Sequence, residues 1–142
     1  MAENGETVSL SIIIPAKNEA GIIGDVVSSV RGIYADAEIL VVDDGSTDKT
    51  ATFAERAGAM VVSHPVSLGN GAAIKAGARA ANGEILIMMD GDGQHKAEDI
   101  PALLAKLDEG YDMAIGARDS GSHAGVGRLA ANGLYNVFAS MI

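Results

Sequence analysis

The chain has 142 residues, 48% of them hydrophobic, which is enough to bury a core in one domain covering residues 1–142. It has no cysteine, so disulfides and thiolate metal sites are excluded, and a cytoplasmic location is expected. A net charge of −9 excludes nucleic acid or anionic lipid as a partner held by bulk electrostatics, so an anionic ligand needs local capture by a cation, an arginine or helix amides.

The first ten residues are polar and acidic, which predicts neither a signal peptide nor a membrane anchor. An apolar run at 10–14 reads as a strand and leads into Pro15-Ala16-Lys17-Asn18-Glu19. Residues 20–33 place Ile22, Ile23, Val26, Val27 and Val30 at helical spacing. A second strand at 38–43 opens onto Asp43-Asp44-Gly45-Ser46-Thr47-Asp48, where Ser46 or Thr47 would cap a helix running to Ala57 and stopped by Gly58. A strand at 59–63 precedes an alanine-rich helix over 69–81, with Gly83 after it. Residues 84–89 read as the next strand and deliver Asp90-Gly91-Asp92-Gly93-Gln94. A helix over about 98–109 carries acids in its first turn, and a strand over 111–117 ends at Gly116-Ala117-Arg118. After a glycine-rich loop at 119–127, residues 129–142 read as a last helix with Leu134, Val137, Phe138 and Met141 in a stripe. That apolar end favours self-association, so a homo-oligomer is one expected partner state.

Strands alternating with helices predict an α/β domain, a mostly parallel sheet with helices on both faces. In such a sheet the loops after the strands gather along one edge, where ligands bind. Asp43, Asp44, Asp90, Asp92 and Arg118 therefore share a crevice.

Each motif has a plain reading and a chemical one. Asp90 and Asp92 sit one residue apart between glycines: either a turn, or two hard oxygen ligands for Mg²⁺ or Mn²⁺, with Gln94 as a further oxygen. A calcium loop of the EF-hand kind fails, because His95 and Pro101 stand where Gly and Glu are required. Asp43 and Asp44 are either turn residues or acceptors for a ribose hydroxyl or a base N–H. Asn18 either caps the next helix or, with Glu19, lies against a nucleoside. Gly69-Asn70-Gly71 lacks the third glycine of a dinucleotide fingerprint, and no phosphate loop of the GxxxxGK type is present. Its small residues suit a close approach to ligand or sheet. Arg118 is placed to grip a phosphate bidentately, while His64 and His95 lack the spacing of a metal pair. Four carboxylates around one crevice repel a pyrophosphate unless a divalent cation reverses the local sign. The constellation thus predicts metal-dependent binding of a phosphorylated ligand.

Taken in order, Ile14-Pro15-Ala16-Lys17-Asn18-Glu19, Val41-Val42-Asp43-Asp44-Gly45-Ser46-Thr47-Asp48, Leu68-Gly69-Asn70-Gly71, Asp90-Gly91-Asp92-Gly93-Gln94-His95 and Gly116-Ala117-Arg118 resemble a family 2 glycosyltransferase of the GT-A fold. Within it the chain looks like the polyprenyl-phosphate branch, similar to dolichol-phosphate mannosyltransferases. The resemblance implies a nucleotide-sugar donor, GDP-mannose or UDP-glucose, and a polyprenyl phosphate acceptor, with inversion at the anomeric carbon. It implies that Pro15, Ala16, Asn18 and Glu19 line the nucleoside, that Asp43 and Asp44 hold base or ribose, and that Gly69 lies close by. Asp90, Asp92 and Gln94 match the metal motif, Arg118 the phosphate-contacting arginine, and Arg128 a looser phosphate contact, with Asp92 and Arg118 as the catalytic pair. Family members continue past this point with acceptor-side residues, so the resemblance predicts a domain truncated at the C-terminus, with peripheral contact at the cytoplasmic membrane face.

Three other classes meet specific obstacles. A sugar nucleotidyltransferase carries Arg and Lys in a glycine-rich loop after the first strand, which 14–19 does not match, and a receiver domain needs a late lysine where Ala117-Arg118 stand. A binding module that takes nucleotide-sugar without transferring it is separated only by a transfer assay.

Overall fold

The computed structural model describes residues 8–116 and 138–141. In chain order it contains β1 (Leu10–Ala16), α1 (Ile23–Ile33), β2 (Glu38–Asp43), α2 (Thr50–Arg56), β3 (Met60–Ser63), α3 (Asn70–Ala80) and β4 (Ile85–Met88). A single 3-10 turn (Ala97–Asp99) then leads into α4 (Ile100–Asp108), followed by β5 (Met113–Ile115) and β6 (Phe138–Met141). The sheet order is β3-β2-β1-β4-β6-β5. Strands β1 to β4 are parallel, with Ser11 to Ala16 opposite Glu38 to Asp43, and Leu10 to Ile13 opposite Ile85 to Met88.

β1 lies at the middle of the parallel part, and its residues Ile12, Ile13 and Ile14 are all fully buried. A strand covered on both faces needs such a continuous apolar run, and each isoleucine contributes roughly 2–3 kcal/mol of burial. On one face Ile12, Ile14, Ile39 and Val41 meet Ile23, Val26, Val27 and Val30 of α1 and Ile100, Leu103 and Leu107 of α4. On the other, Ile13, Leu40, Val42 and Leu86 meet Ala73 of α3. The second layer is thin because α3 is built from small residues. At Gly77 an added Cβ would collide with the Ile13 side chain and come within 3.2 Å of Val42 Cγ2.

The C-terminal reading is corrected at one point. Residues 138–141 form a strand, not the end of a helix, antiparallel to both β4 and β5, with Met88 opposite Phe138 and Ile115 opposite Phe138 from the other side. Apolar residues at nearly every position from 137 to 142 satisfy a strand as well as a helix. The strand wins because the far edge of β4 carries backbone N–H and C=O groups that need partners. Leu134 and Val137 of the expected stripe, the glycine-rich loop, Arg118 and Arg128 lie outside the described residues.

Candidate functional site

The carboxyl ends of β2, β1 and β4 lie side by side, so the loops that follow them touch. The first two are knitted together by their own polar residues. Asn18 takes a left-handed backbone (φ 53°), its N–H donates to Ser46 Oγ (2.9 Å), and its Oδ1 accepts from Thr47 N–H (2.8 Å). Glu19 N–H donates to Thr50 Oγ1 (2.9 Å) and Ala20 N–H to Asp48 Oδ2 (3.2 Å). Asp48 Oδ1 accepts from Thr50 N–H (2.9 Å) and from the Thr50 hydroxyl. Ser46 and Thr47 therefore do not cap α2, which starts later, after Lys49 with no side-chain cap. Nor does Asn18 cap α1, whose N-cap position is Ile22. These side chains face across to the neighbouring loop, where the unpaired N–H groups are.

The two aspartates at the end of β2 are both buried, at 7% and 5% exposure for Asp43 and Asp44. Asp43 Oδ1 accepts from Ser46 N–H (3.1 Å), closing the turn. Asp44 does more. Its Oδ1 meets His64 Nδ1 (2.8 Å) and accepts from Leu68 N–H (2.8 Å). Its Oδ2 accepts from Ser67 Oγ (2.7 Å) and Gly69 N–H (2.9 Å). His64 first, then these loop donors, hold the carboxyl far below its ordinary range. The Asp44 carboxylate is thus stabilised by donors that the protein itself supplies. Gly45 is pressed into the same loop: with φ +70°, a Cβ there would lie 2.5 Å from Ser67 N.

Beside Asp44 opens a cavity of about 240 Å³, lined by Pro15, Ala16, Lys17, Asp44, Ser67, Gly69, Asn70 and Ala73. Four of the residues assigned to a nucleoside from the resemblance, Pro15, Ala16, Asp44 and Gly69, therefore share one wall. Asn70 and Ala73 belong to the small-residue stretch expected to approach ligand or sheet, whereas Lys17 and Ser67 are not among the expected site residues. Lys17 was in view inside the first motif, but nothing local marks which way its chain runs.

The third loop follows β4. Met89 N–H donates to Ile13 O (3.0 Å) and Gly91 N–H to Pro15 O (3.3 Å), which ties the loop to the end of β1. Within it Asp92 Oδ1 accepts from Gln94 N–H (2.9 Å), and Asp90 N–H donates to His95 Nδ1 (2.9 Å). Asp90 and Asp92 are half-buried and Gln94 is exposed. Burial pushes the Glu19 carboxyl up, and the negative charges of Asp92 and Asp48 push it further, so Glu19 feels the third loop across the crevice. Among the described residues no group of three or more His, Asp or Glu forms a metal cage. The carboxylates of Asp90 and Asp92 nonetheless suit a hard divalent cation that completes its shell with phosphate and water, as Mg²⁺ commonly does.

A parallel sheet extended by an antiparallel pair, with acidic loops gathered at the carboxyl edge, defines the GT-A-like class of α/β domains. Residues 11–133 match the family described as Glycosyl transferase family 2, and the chain belongs to that family. It is 40% identical over 110 residues to an uncharacterized glycosyltransferase of Mycobacterium tuberculosis, covering 78% of this chain and 49% of that one. It is 41% identical over 111 residues to glycosyltransferase AglJ of Haloferax volcanii, covering 78% and 36% respectively. Among solved structures it resembles glucosyl-3-phosphoglycerate synthase from Mycobacterium tuberculosis in complex with Mn²⁺, UDP-glucose and phosphoglyceric acid. That likeness has a TM-score of 0.76 and 26% identity, over 94% of this chain and 57% of that one. The chain spans half or less of the length of these curated relatives.

Proposed function

We propose that the chain is the donor-binding part of an inverting, metal-dependent glycosyltransferase that takes a sugar from a nucleotide-diphospho-sugar. One observation carries this reading: the cavity beside Asp44 unites the residues expected around a nucleoside, one loop away from the Asp90 and Asp92 carboxylates. In this reading Pro15, Ala16 and Gly69 pack against the nucleoside, and Glu19 and Asp43 lie at its ribose side. Asp90, Asp92 and Gln94 hold Mg²⁺ or Mn²⁺, and Arg118 and Arg128 contact phosphate. The bound cation supplies positive charge against the leaving diphosphate. Arg118 opposes the same charge as it develops.

For the donor we propose a uridine nucleotide, UDP-glucose before GDP-mannose. Guanine offers two neighbouring N–H groups that seek a carboxylate, and all four lone-pair positions of Asp44 are already engaged. Uracil offers chiefly carbonyl acceptors, which suit Lys17 and Asn70 in the same cavity. The UDP-glucose complex of the similar synthase supports the same choice.

For the acceptor we propose polyprenyl phosphate, in keeping with the branch that the motifs resemble. A phosphate monoester is already ionised near neutral pH, so it attacks without a strong general base. The phosphoglyceric acid in the similar synthase supports a second reading, a small phosphorylated acid. The proposed setting is the cytoplasmic face of a membrane, with peripheral lipid contact and self-association of the chain. Among the described residues no helix is long and apolar enough to cross a membrane.

Calorimetric titration with UDP-glucose and GDP-mannose, with Mg²⁺ and again with chelator, tests the donor reading. Binding of UDP-glucose that disappears with chelator is the expected result. Failure of both donors under all conditions would sink it.

A further inference from the structure

We infer that His95 is a positioning residue, whose Nδ1 sets the backbone of the 90–94 loop in the form that presents Asp90 and Asp92 to a divalent cation. The metal part of this inference rests on the donor reading above.

The geometry begins with Asp90 N–H, which points into its own loop and finds His95 Nδ1 at 2.9 Å. That bond closes the loop five residues further on. A nitrogen that accepts a hydrogen bond carries no proton, so the ring is the neutral tautomer protonated at Nε2. The Asp90 carboxylate, 3.9 Å from the same Nδ1, is then not its ion-pair partner. The other side of the ring shows what the arrangement costs. His95 has only 11% of its side chain exposed, and its Nε2 is buried with no hydrogen-bond partner among the described residues. A buried N–H left without an acceptor destabilises the fold. A phenylalanine would fill the same space without that penalty. What it lacks is the acceptor for Asp90 N–H. Met89 N–H and Gly91 N–H tie the segment to β1 and Gln94 N–H bonds Asp92, while the His95 nitrogen takes the one N–H between the two β1 ties, that of Asp90. Groups that orient metal ligands from behind typically change metal affinity ~10- to 100-fold when removed.

Three variants separate positioning from packing. His95→Phe keeps the ring shape and removes both nitrogens. His95→Asn places its Oδ1 where Nδ1 stands. His95→Gln reaches instead to the Nε2 position. Mn²⁺ binding is read by paramagnetic relaxation with Mn²⁺ alone and with UDP, and thermal melting reports the fold. The expected result is a melting temperature for His95→Phe at or above that of the parent, together with a ~10-fold or greater loss of Mn²⁺ affinity. His95→Asn retains most of the affinity, and His95→Gln loses it. Parent-like Mn²⁺ affinity in His95→Phe overturns the inference, as does equal loss in Asn and Phe variants. If the parent chain binds no Mn²⁺ with UDP, the donor reading fails instead. In that case ¹⁵N spectra of the imidazole decide: protonation at Nε2, with an Asp90 amide protected from exchange in the parent and exposed in His95→Phe, supports the positioning role. Protonation at Nδ1 overturns it.

Discussion

Two acidic loops flank β1, and the same residue type has opposite circumstances in them. Asp44, just past β2, is 5% exposed and meets donors from His64, Ser67, Leu68 and Gly69. Asp90 and Asp92, just past β4, remain half-buried on a loop where Gln94 N–H donates to Asp92 Oδ1. The difference lies in what the chain offers each carboxylate. A segment that folds back with successive N–H groups turned inward makes an aspartate a structural brace. A tight glycine-flanked turn leaves its aspartates available to a cation. An acidic pair in a sequence is therefore not yet a ligand site; its donors decide.

The sharpest way to break this comparison is to remove one carboxylate on each side. Asp92→Ala is expected to eliminate the metal-dependent part of UDP-glucose binding while leaving the melting temperature close to the parent's. Calorimetry with Mg²⁺ and with chelator checks it, and unchanged affinity in Mg²⁺ would remove Asp92 from the metal site.

Asp44→Asn should do the reverse. It turns an acceptor into a donor facing buried donors, and is expected to destabilise the fold by about 2–3 kcal/mol in denaturant unfolding. The pH dependence sharpens the point. Because the folded Asp44 carboxyl sits far below its ordinary value of 3.8, its stabilisation is present above that value and is lost as pH falls toward the folded pKa. Asp44→Asn should lack this acid-side loss; an identical acid profile in parent and variant would show that the brace carries no linkage.

The smallest effect belongs to Glu19, which links the two loops. Burial and the charges of Asp92 and Asp48 raise its pKa above the ordinary 4.5. Its contribution is therefore complete below that value and is lost as pH rises through the raised pKa. In chelator, Glu19→Gln should remove this loss and slightly raise the melting temperature at neutral pH. A lower melting temperature at neutral pH would place Glu19 in a favourable interaction instead.

Much of the architecture was legible from local signals. The apolar runs leading into Pro15, Asp43 and Asp90 placed β1, β2 and β4 within a residue or two, and the stripe of Ile23, Val26, Val27 and Val30 is the buried face of α1. Of the residues that the resemblance implies around a nucleoside, Pro15, Ala16, Asp44 and Gly69 line one cavity. Capping by Ser46 and Thr47 was misread because the same side chains serve a neighbouring loop as readily as their own helix.

The amino-acid sequence by itself determined which segments are strands and helices through β4 and which loops reach the carboxyl edge. Periodicity and turn chemistry are local, and parallel crossovers follow from them. Only the tertiary structure decided the strand at 138–141, the saturation of Asp44 by residues 20 to 25 positions away, and the acceptor that His95 provides for Asp90. Each depends on which polar groups lie within about 3 Å once the chain has folded, and a buried donor or acceptor takes the partner that is near in space.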